Sequence, residues 1–174
     1  MLALMRRSAC GIAAFFLACS YAAYPSSADN MTRVDTFGGW SLIADTKTPH
    51  VICFVTAEPT SSAPANTQRD APRAYISAWP KSGIKGEVSF RMGFKIKKGA
   101  EGLAKVSPAG FRLFGSGDRA YVNDSTQELK LLDAMRKGSA LTVAIAADGG
   151  ATVTDTYSLN GLGVAMQMMQ QACF

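Results

Sequence analysis

Hydrophobic and polar residues alternate with a period of two along much of the chain after residue 30. The clearest case spans residues 86–97, where Val88 and Phe90 fall on one side and Ser89 and Arg91 on the other. Because successive side chains of a strand point to opposite faces of a sheet, this pattern predicts a strand with one buried and one solvated face. Seven further segments are predicted as strands: 40–44, 51–57, 74–79, 110–114, 120–123, 140–147 and 151–157.

Two segments change to the period of an amphipathic helix. Ser125 followed by Glu128 matches a capping box, and apolar residues at helical spacing continue until Gly138 supplies a stop. This predicts a helix over residues 125–137. Residues 162–173 repeat the helical spacing and predict a second helix, in which the methionines are expected to fill the core rather than bind a metal.

Turn-forming residues separate the predicted strands. Asp148, Gly149 and Gly150 tolerate the positive φ angles of tight turns and predict a hairpin. Residues 58–72 form a long polar loop of a kind that is often functional or mobile. Many short strands with only two short helices predict an all-β fold: a sandwich or barrel-like antiparallel sheet with one internal and one C-terminal α-helix.

The first 28 residues have the order of a secretory signal. Arg6 and Arg7 precede a small and apolar run that is shorter than the roughly 20 residues a membrane-spanning helix needs. We predict cleavage after Ala28 and export to the periplasm, with no transmembrane span after the signal is removed. A degenerate lipobox ending at Cys19 is the competing interpretation, in which the protein would be lipid-anchored. Residues 29–174 are expected to form a single β-rich domain.

The charge is concentrated in the middle of the chain. Between Lys81 and Arg119, nine basic side chains stand against three acidic ones. Such a stretch is usually a solvated strand face, but it can also bind an envelope protein or an anionic lipid such as lipopolysaccharide. A nucleic-acid partner is not expected, because no recognised binding motif is present. The candidate anion or partner contacts are Arg91, Lys95, Lys97 and Arg112.

Only Cys53 and Cys173 remain after the predicted cleavage. Two thiols in an oxidising compartment normally pair, which predicts a structural disulfide. A redox pair or a metal site is the alternative, although redox cysteines usually stand close in sequence and a zinc site needs about four ligands. The chain has a single histidine, and we expect neither a metal nor another cofactor.

No catalytic constellation can be recognised in the sequence. His50 is expected to be an exposed residue before a strand, and a role as general base would require an acid and a serine beside it. Ser82 and Lys85 have the spacing of a penicillin-binding enzyme motif, but they lie in a glycine-containing loop rather than on a helix. An envelope hydrolase, or a redox or metal-handling protein, is the alternative to a binding protein.

Segments spread along the chain resemble one known family. The most specific is Asp-Thr-Tyr-Ser-Leu-x-Gly at residues 155–161. The others are residues 37–40, 53–54, 58–60, 69–72, 87–89, 92–94, 117–121 and 132–138, with Cys173 after them. Together these segments resemble the invasion-associated locus B family of alphaproteobacterial envelope proteins. Many members carry a further cysteine where this chain has Ile43 and Ala44, which leaves Cys53 and Cys173 as the available pair.

The resemblance implies an exported, β-rich envelope protein for which no enzymatic activity is established. The founding members of the family are associated with the entry of pathogens into host cells. The function expected for this chain is therefore a non-catalytic binding or envelope-maintenance role in the periplasm, with a contribution to host-cell invasion as a further hypothesis.

Overall fold

The computed structural model describes residues 31–45, 47 and 50–174. The predicted signal segment, its cleavage site and Cys19 lie outside the described residues. Among the residues described, no helix has the length and apolar character needed to cross a membrane.

The strands are β1 (Met31–Phe37), β2 (Trp40–Asp45), β3 (Cys53–Ala57), β4 (Ser61–Ala63), β5 (Arg73–Trp79), β6 (Ile84–Arg91), β7 (Glu101–Val106), β8 (Ala109–Ser116), β9 (Arg119–Val122), β10 (Ala140–Ala146) and β11 (Thr152–Ser158). The helices are α1 (Ser125–Lys137) and α2 (Leu162–Cys173), with a 3-10 turn at Pro80–Ser82.

All eleven strands belong to one antiparallel sheet in the order β1-β2-β3-β5-β6-β9-β8-β7-β10-β11-β4. Strands β2 and β11 are eight places apart, which in a flat sheet would be roughly 40 Å. Instead, Trp40 Nε1 of β2 donates a hydrogen bond of 3.0 Å to the Ser158 carbonyl oxygen of β11. The sheet therefore curls until its two halves face each other. Inward side chains such as Trp40, Phe90 and Tyr157 form the core between them.

The predicted fold class is confirmed, and so is the placement of one internal and one C-terminal helix. Each of the eight predicted strands is present, with shifted ends, and the predicted hairpin joins β10 to β11. The sequence pattern does not predict β1, β4 or β7. Strand β1 is exposed on nearly its whole length, β4 has three residues, and the inward positions of β7 begin with a glycine and an alanine, so each lacks a strong apolar alternation.

The strand predicted over residues 86–97 ends earlier than its alternation indicates. Strand β6 stops at Arg91, and at Gly93 the backbone adopts a φ of 75° and accepts a 2.9 Å hydrogen bond from the Asp70 amide. A Cβ at Gly93 would overlap the Asp70 carbonyl oxygen, so this close approach requires glycine. The apolar alternation continues to Ile96 because the chain rejoins the sheet there, in a bridge to Ala147.

Helix α1 begins differently from the predicted capping box. Asp124 caps the helix, its carboxylate accepting a 2.8 Å hydrogen bond from the Gln127 amide. Glu128 instead accepts a 2.7 Å hydrogen bond from the Val88 amide of β6 and so ties the helix to the sheet. Burial raises the pKa of Glu128; the Val88 amide opposes this shift, and the nearby Glu87 carboxylate adds to it.

The disulfide between Cys53 of β3 and Cys173 of α2 is present, with the two Cα atoms 6.4 Å apart. Helix α2 packs on β1, β2, β3 and β5 through a buried face that includes Met166 and Met169, so these two methionines fill the core as expected. Met168 does not, because it lies on the opposite side of the helix and is exposed. The bridge thus fixes the end of α2 to the half of the sheet that it covers.

Removal of the disulfide should lower the free energy of unfolding. A separation of 120 residues corresponds to about 5 kcal/mol of chain entropy in the unfolded state, as an upper value. We expect the C53A/C173A variant to unfold at a clearly lower urea concentration than the oxidised protein, and reduced wild-type protein to match the variant. An unchanged midpoint in the variant would contradict a stabilising role for the bridge.

Candidate functional site

The face of the sheet that points away from the core carries aromatic residues on its central strands. In β5, Ala74 and Ile76 point inward, so Tyr75, Ser77 and Trp79 point outward. Large aromatic side chains on an outward face are a departure from the usual polar positions of such a strand. They mark this face as a candidate binding surface.

Strand pairing brings the outward residues of four strands into one row. Tyr75 of β5 is opposite Ser89 of β6, Ser89 is opposite Tyr121 of β9, and Tyr121 is opposite Phe114 of β8. Residues that face each other across neighbouring strands lie about 5 Å apart. The row therefore places one small polar side chain, Ser89, between Tyr75 and the adjacent aromatic pair of Tyr121 and Phe114.

A cleft of about 400 Å³ opens on this face, and we call it the outer cleft. Ser77 and Ser89 form its floor. They are only 8% and 4% exposed, although they point outward, because taller neighbours surround them. The outer cleft is lined by Ile52, Phe54, Tyr75, Ser77, Trp79, Glu87, Ser89, Arg119 and Tyr121.

Contacts between side chains fix the walls of the outer cleft. The Phe54 and Tyr75 rings are 5.7 Å apart and tilted by 60°, and Tyr121 stacks on Phe114 at 5.5 Å. The Arg119 guanidinium lies 4.9 Å from the centre of the Tyr75 ring. It also donates a long hydrogen bond of 3.4 Å to the Ser89 hydroxyl, which holds it above the floor.

The outer cleft contains one cation, Arg119, and one anion, Glu87. Within the described part of the chain, neither side chain has an oppositely charged group within 4.0 Å. Arg91 of β6 is in register with Arg119, and Arg73 of β5 is in register with Arg91. These two arginines differ from Arg119, because Arg73 pairs with a glutamate and Arg91 with two aspartates. Of these three arginines, Arg119 is therefore the one available to neutralise a bound anion.

Arg91, one of the predicted basic contacts, lies next to the outer cleft. It is opposite Arg119 on the neighbouring strand and contacts Asp118 at 3.0 Å and Asp70 at 3.2 Å. The hydrogen bond to Asp118 raises the pKa of Arg91; burial opposes this shift, and the charges of both aspartates add to it.

The other three predicted contacts are placed around the same region. Arg112 is on the outward side of β8, two residues from Phe114, and lies 3.4 Å from Glu101. Lys95 and Lys97 lie on the connection that follows β6, and Lys95 Nζ is 2.9 Å from Asp148. The structure thus brings Arg91 and Arg112 to the aromatic face and leaves the two lysines on an adjacent loop.

Sequence reasoning did not single out the aromatic residues of the outer cleft. The available signal was an aromatic side chain at an outward position: Tyr75 and Trp79 in the predicted strand 74–79, and Tyr121 in the predicted strand 120–123. Their convergence depends on the pairing of β5, β6 and β9, which the pattern of one strand does not contain.

A buried ion pair fixes the 58–72 loop to the sheet. The side chains of Arg69 and Asp155 are 5% and 0% exposed, and the guanidinium binds both carboxylate oxygens. Arg69 also donates hydrogen bonds of 2.8 Å to the Ser62 hydroxyl and the Met92 carbonyl oxygen. The loop predicted to be functional or mobile therefore carries a charge network that points into the protein.

Tyr157 lies beside this ion pair on β11. Its hydroxyl group is buried, with no hydrogen-bond partner among the described residues. Burial raises the pKa of Tyr157 well above its ordinary value, and the Asp155 carboxylate raises it further, while Arg69 opposes the shift. The phenol is therefore neutral near neutral pH and does not act as a base there.

His50 contacts an acid, Asp45, at the turn between β2 and β3. Its Nδ1 lies 2.8 Å from the Asp45 carbonyl oxygen and 3.1 Å from the carboxylate, which also accepts the amides of Lys47, Val51 and Ile52. Burial would raise the pKa of Asp45, but these hydrogen bonds outweigh it and the pKa is lowered. No serine is hydrogen-bonded to His50 in the described residues, and these contain no cluster of three metal-binding side chains.

Comparison with known proteins gives a match among solved structures. No family model matches the chain, and no curated protein matches it. The crystal structure of invasion associated protein b from Bartonella henselae is similar, with a TM-score of 0.55 and 18% sequence identity. The match covers 79% of this chain and 95% of that chain. The two proteins share a fold. The resemblance noted in the sequence is therefore confirmed at the level of the fold.

Replacement of Arg69 should test the buried ion pair. R69M leaves the Asp155 carboxylate buried without a countercharge, and we expect a loss of about 3–5 kcal/mol in the free energy of unfolding. The R69M/D155L variant removes both charges and should be more stable than R69M. Urea denaturation measures both variants, and a double variant no more stable than R69M would contradict this account.

The contribution of Asp45 to the free energy of unfolding should depend on pH. Because its pKa is lowered in the folded protein, its stabilising effect is present above the ordinary value of 3.8 and is lost as the pH falls through the folded pKa. We expect D45N to be less stable than the wild type at pH 7, by about 1–3 kcal/mol. The difference should shrink in urea titrations below pH 3.8. A difference that stays constant under acid conditions would contradict the prediction.

Proposed function

We propose that this chain is an exported envelope protein of the invasion-associated locus B family with a non-catalytic binding role. The observation that carries the proposal is the fold shared with the Bartonella henselae protein. The family-like segments along the sequence support it, the most specific being residues 155–161. The disulfide between Cys53 and Cys173 supports export, because such bridges persist in oxidising compartments.

The proposed binding surface is the outward face of the central strands. It combines the outer cleft with the basic side chains at its margin, which are Arg91, Lys95, Lys97 and Arg112. Tyrosine, tryptophan and arginine are the residues that most often dominate binding energy at interfaces. An anionic component of the envelope fits this combination of an aromatic centre and a basic margin.

No observation in the described residues specifically supports the alternative functions. His50 is held by Asp45 at a turn, where an envelope hydrolase would need a serine beside it. Cys53 and Cys173 are joined to each other, whereas metal binding would require free thiolates. We propose host-cell invasion as one setting in which the binding role operates, on the strength of the family resemblance.

Charge reversal at the basic margin tests the proposed role. We expect the R91E/K95E/K97E variant to lose its association with isolated envelopes at low salt, because the reversed charges repel an anionic surface and low salt leaves this repulsion largely unscreened. The K95E/K97E variant, which keeps the contacts of Arg91 with Asp70 and Asp118, guards against a folding defect. The matched control is K81E/K130E/R136E, whose three positions are also exposed.

The same preparation should identify the partner and the compartment. Cross-linking in the native envelope, followed by mass spectrometry, should capture a lipopolysaccharide or an acidic envelope protein near the basic margin. The intact mass should correspond to a chain that begins at Asp29. Unchanged association of R91E/K95E/K97E would overturn the proposed surface, and an unprocessed chain in the cytosol would overturn export.

A further inference from the structure

We infer that the outer cleft binds an acidic saccharide, with the carboxylate of the sugar on Arg119 and the ring between the aromatic walls. This inference rests on the proposed binding role and names the class of ligand at that surface. Three features of the outer cleft carry it: an arginine without a counterion, aromatic walls, and a polar floor with an acid at one end.

The charge of Arg119 selects an acidic ligand. The guanidinium is held by the Tyr75 ring and the Ser89 hydroxyl, and neither contact neutralises it. Arg73 of β5 and Arg91 of β6 each have carboxylate partners already. A guanidinium binds either a carboxylate or a phosphate with two parallel hydrogen bonds, and such charge-assisted bonds are the strong ones. The outer cleft offers a single cation beside the acid Glu87, which matches the one charge of a carboxylate better than the larger charge of a phosphate.

The walls and floor select a polyhydroxylated ring. Phe54, Trp79 and Tyr121 offer aromatic surface to the apolar C–H face of a sugar, while the hydroxyls of Ser77 and Ser89 and the carboxylate of Glu87 can bind its hydroxyl groups. Glu87 is two residues from Ser89 on β6, about 7 Å along the strand. An acidic sugar fits this spacing, with its carboxylate at one end and its hydroxyls at the other.

The strand pairing disfavours a peptide in the outer cleft. Strands β3, β5, β6 and β9 each have a neighbour on both sides, so their backbone groups are already paired and cannot add an extended peptide as a new strand. Recognition must come from side chains alone. A lipid acyl chain is also disfavoured, because it would cover Glu87 and the floor serines without forming hydrogen bonds.

The size of the outer cleft limits the ligand to a short saccharide. Its volume of about 400 Å³ lies at the low end of the range of roughly 300–1,000 Å³ for small-molecule sites. One or two sugar rings would occupy it, and a longer glycan would extend over the surrounding face.

Titration of the mature protein with matched sugars tests the inference. The probes are digalacturonic acid, cellobiuronic acid and N-acetylmuramic acid, each against its neutral methyl ester, with benzoate as an acid that lacks a sugar ring. Calorimetry measures affinity, and tryptophan fluorescence locates binding, because Trp79 lines the outer cleft while Trp40 is fully buried. We expect at least one acidic sugar to bind about tenfold more tightly than its ester and to change the Trp79 emission.

Variants of the protein test which side chains of the outer cleft contact the sugar. We expect R119Q to lower the affinity for the acidic sugar to that of the ester, and W79F to abolish the fluorescence change. R136Q serves as a control, because Arg136 lies on α1 and does not line the outer cleft. Unchanged binding by R119Q, equal binding of acid and ester, equal binding of benzoate, or no binding of any probe at about 10 mM would each overturn the inference. Envelope association that persists in such a case would leave the proposed function standing.

Discussion

The two halves of the curled sheet are held together by contacts that strand pairing does not supply, among them the buried Arg69–Asp155 ion pair. It joins the 58–72 loop, the end of β6 and strand β11 through a single guanidinium. A buried charge is tolerated only when its partner and its hydrogen bonds are all present, so the position of this loop is narrowly defined. The route from the loop into β5, and with it the outward face of that strand, depends on this arrangement.

The outward face illustrates how a binding surface can be built without disturbing a core. Inward and outward residues alternate along β5, so Ala74, Ile76 and Ala78 pack the interior while Tyr75, Ser77 and Trp79 shape the outer cleft. Substitution of an outward residue therefore leaves the packing of the inward side chains nearly unchanged. The rigid sheet in turn fixes the aromatic side chains more firmly than a loop would.

Local periodicity accounts for what the sequence could predict. It predicted the fold class, two helices and eight of the strands, because each of these has an apolar pattern within its own length. It missed β4, which forms only through its pairing with β11. It also extended β6 past Gly93, because Phe94 and Ile96 continue the apolar alternation beyond the turn. The outer cleft could not be predicted from the sequence either, since Tyr75 and Tyr121 come close only across β6. The basic candidates were visible as charges, but their aspartate and glutamate partners were not.

The wide separation in sequence of paired elements has a consequence for how quickly the protein can fold. Ser62 and Asp155 are hydrogen-bonded at a sequence separation of 93, and the two cysteines of the disulfide are separated by 120. Chains dominated by such non-local contacts fold in milliseconds to seconds, far more slowly than helical bundles. Strands β1, β2 and β3 can pair with one another as they form, but β4 must wait, unpaired, until β11 is available. That delay leaves the 58–72 loop without its contacts to the sheet for longer than the modest size of the protein would require.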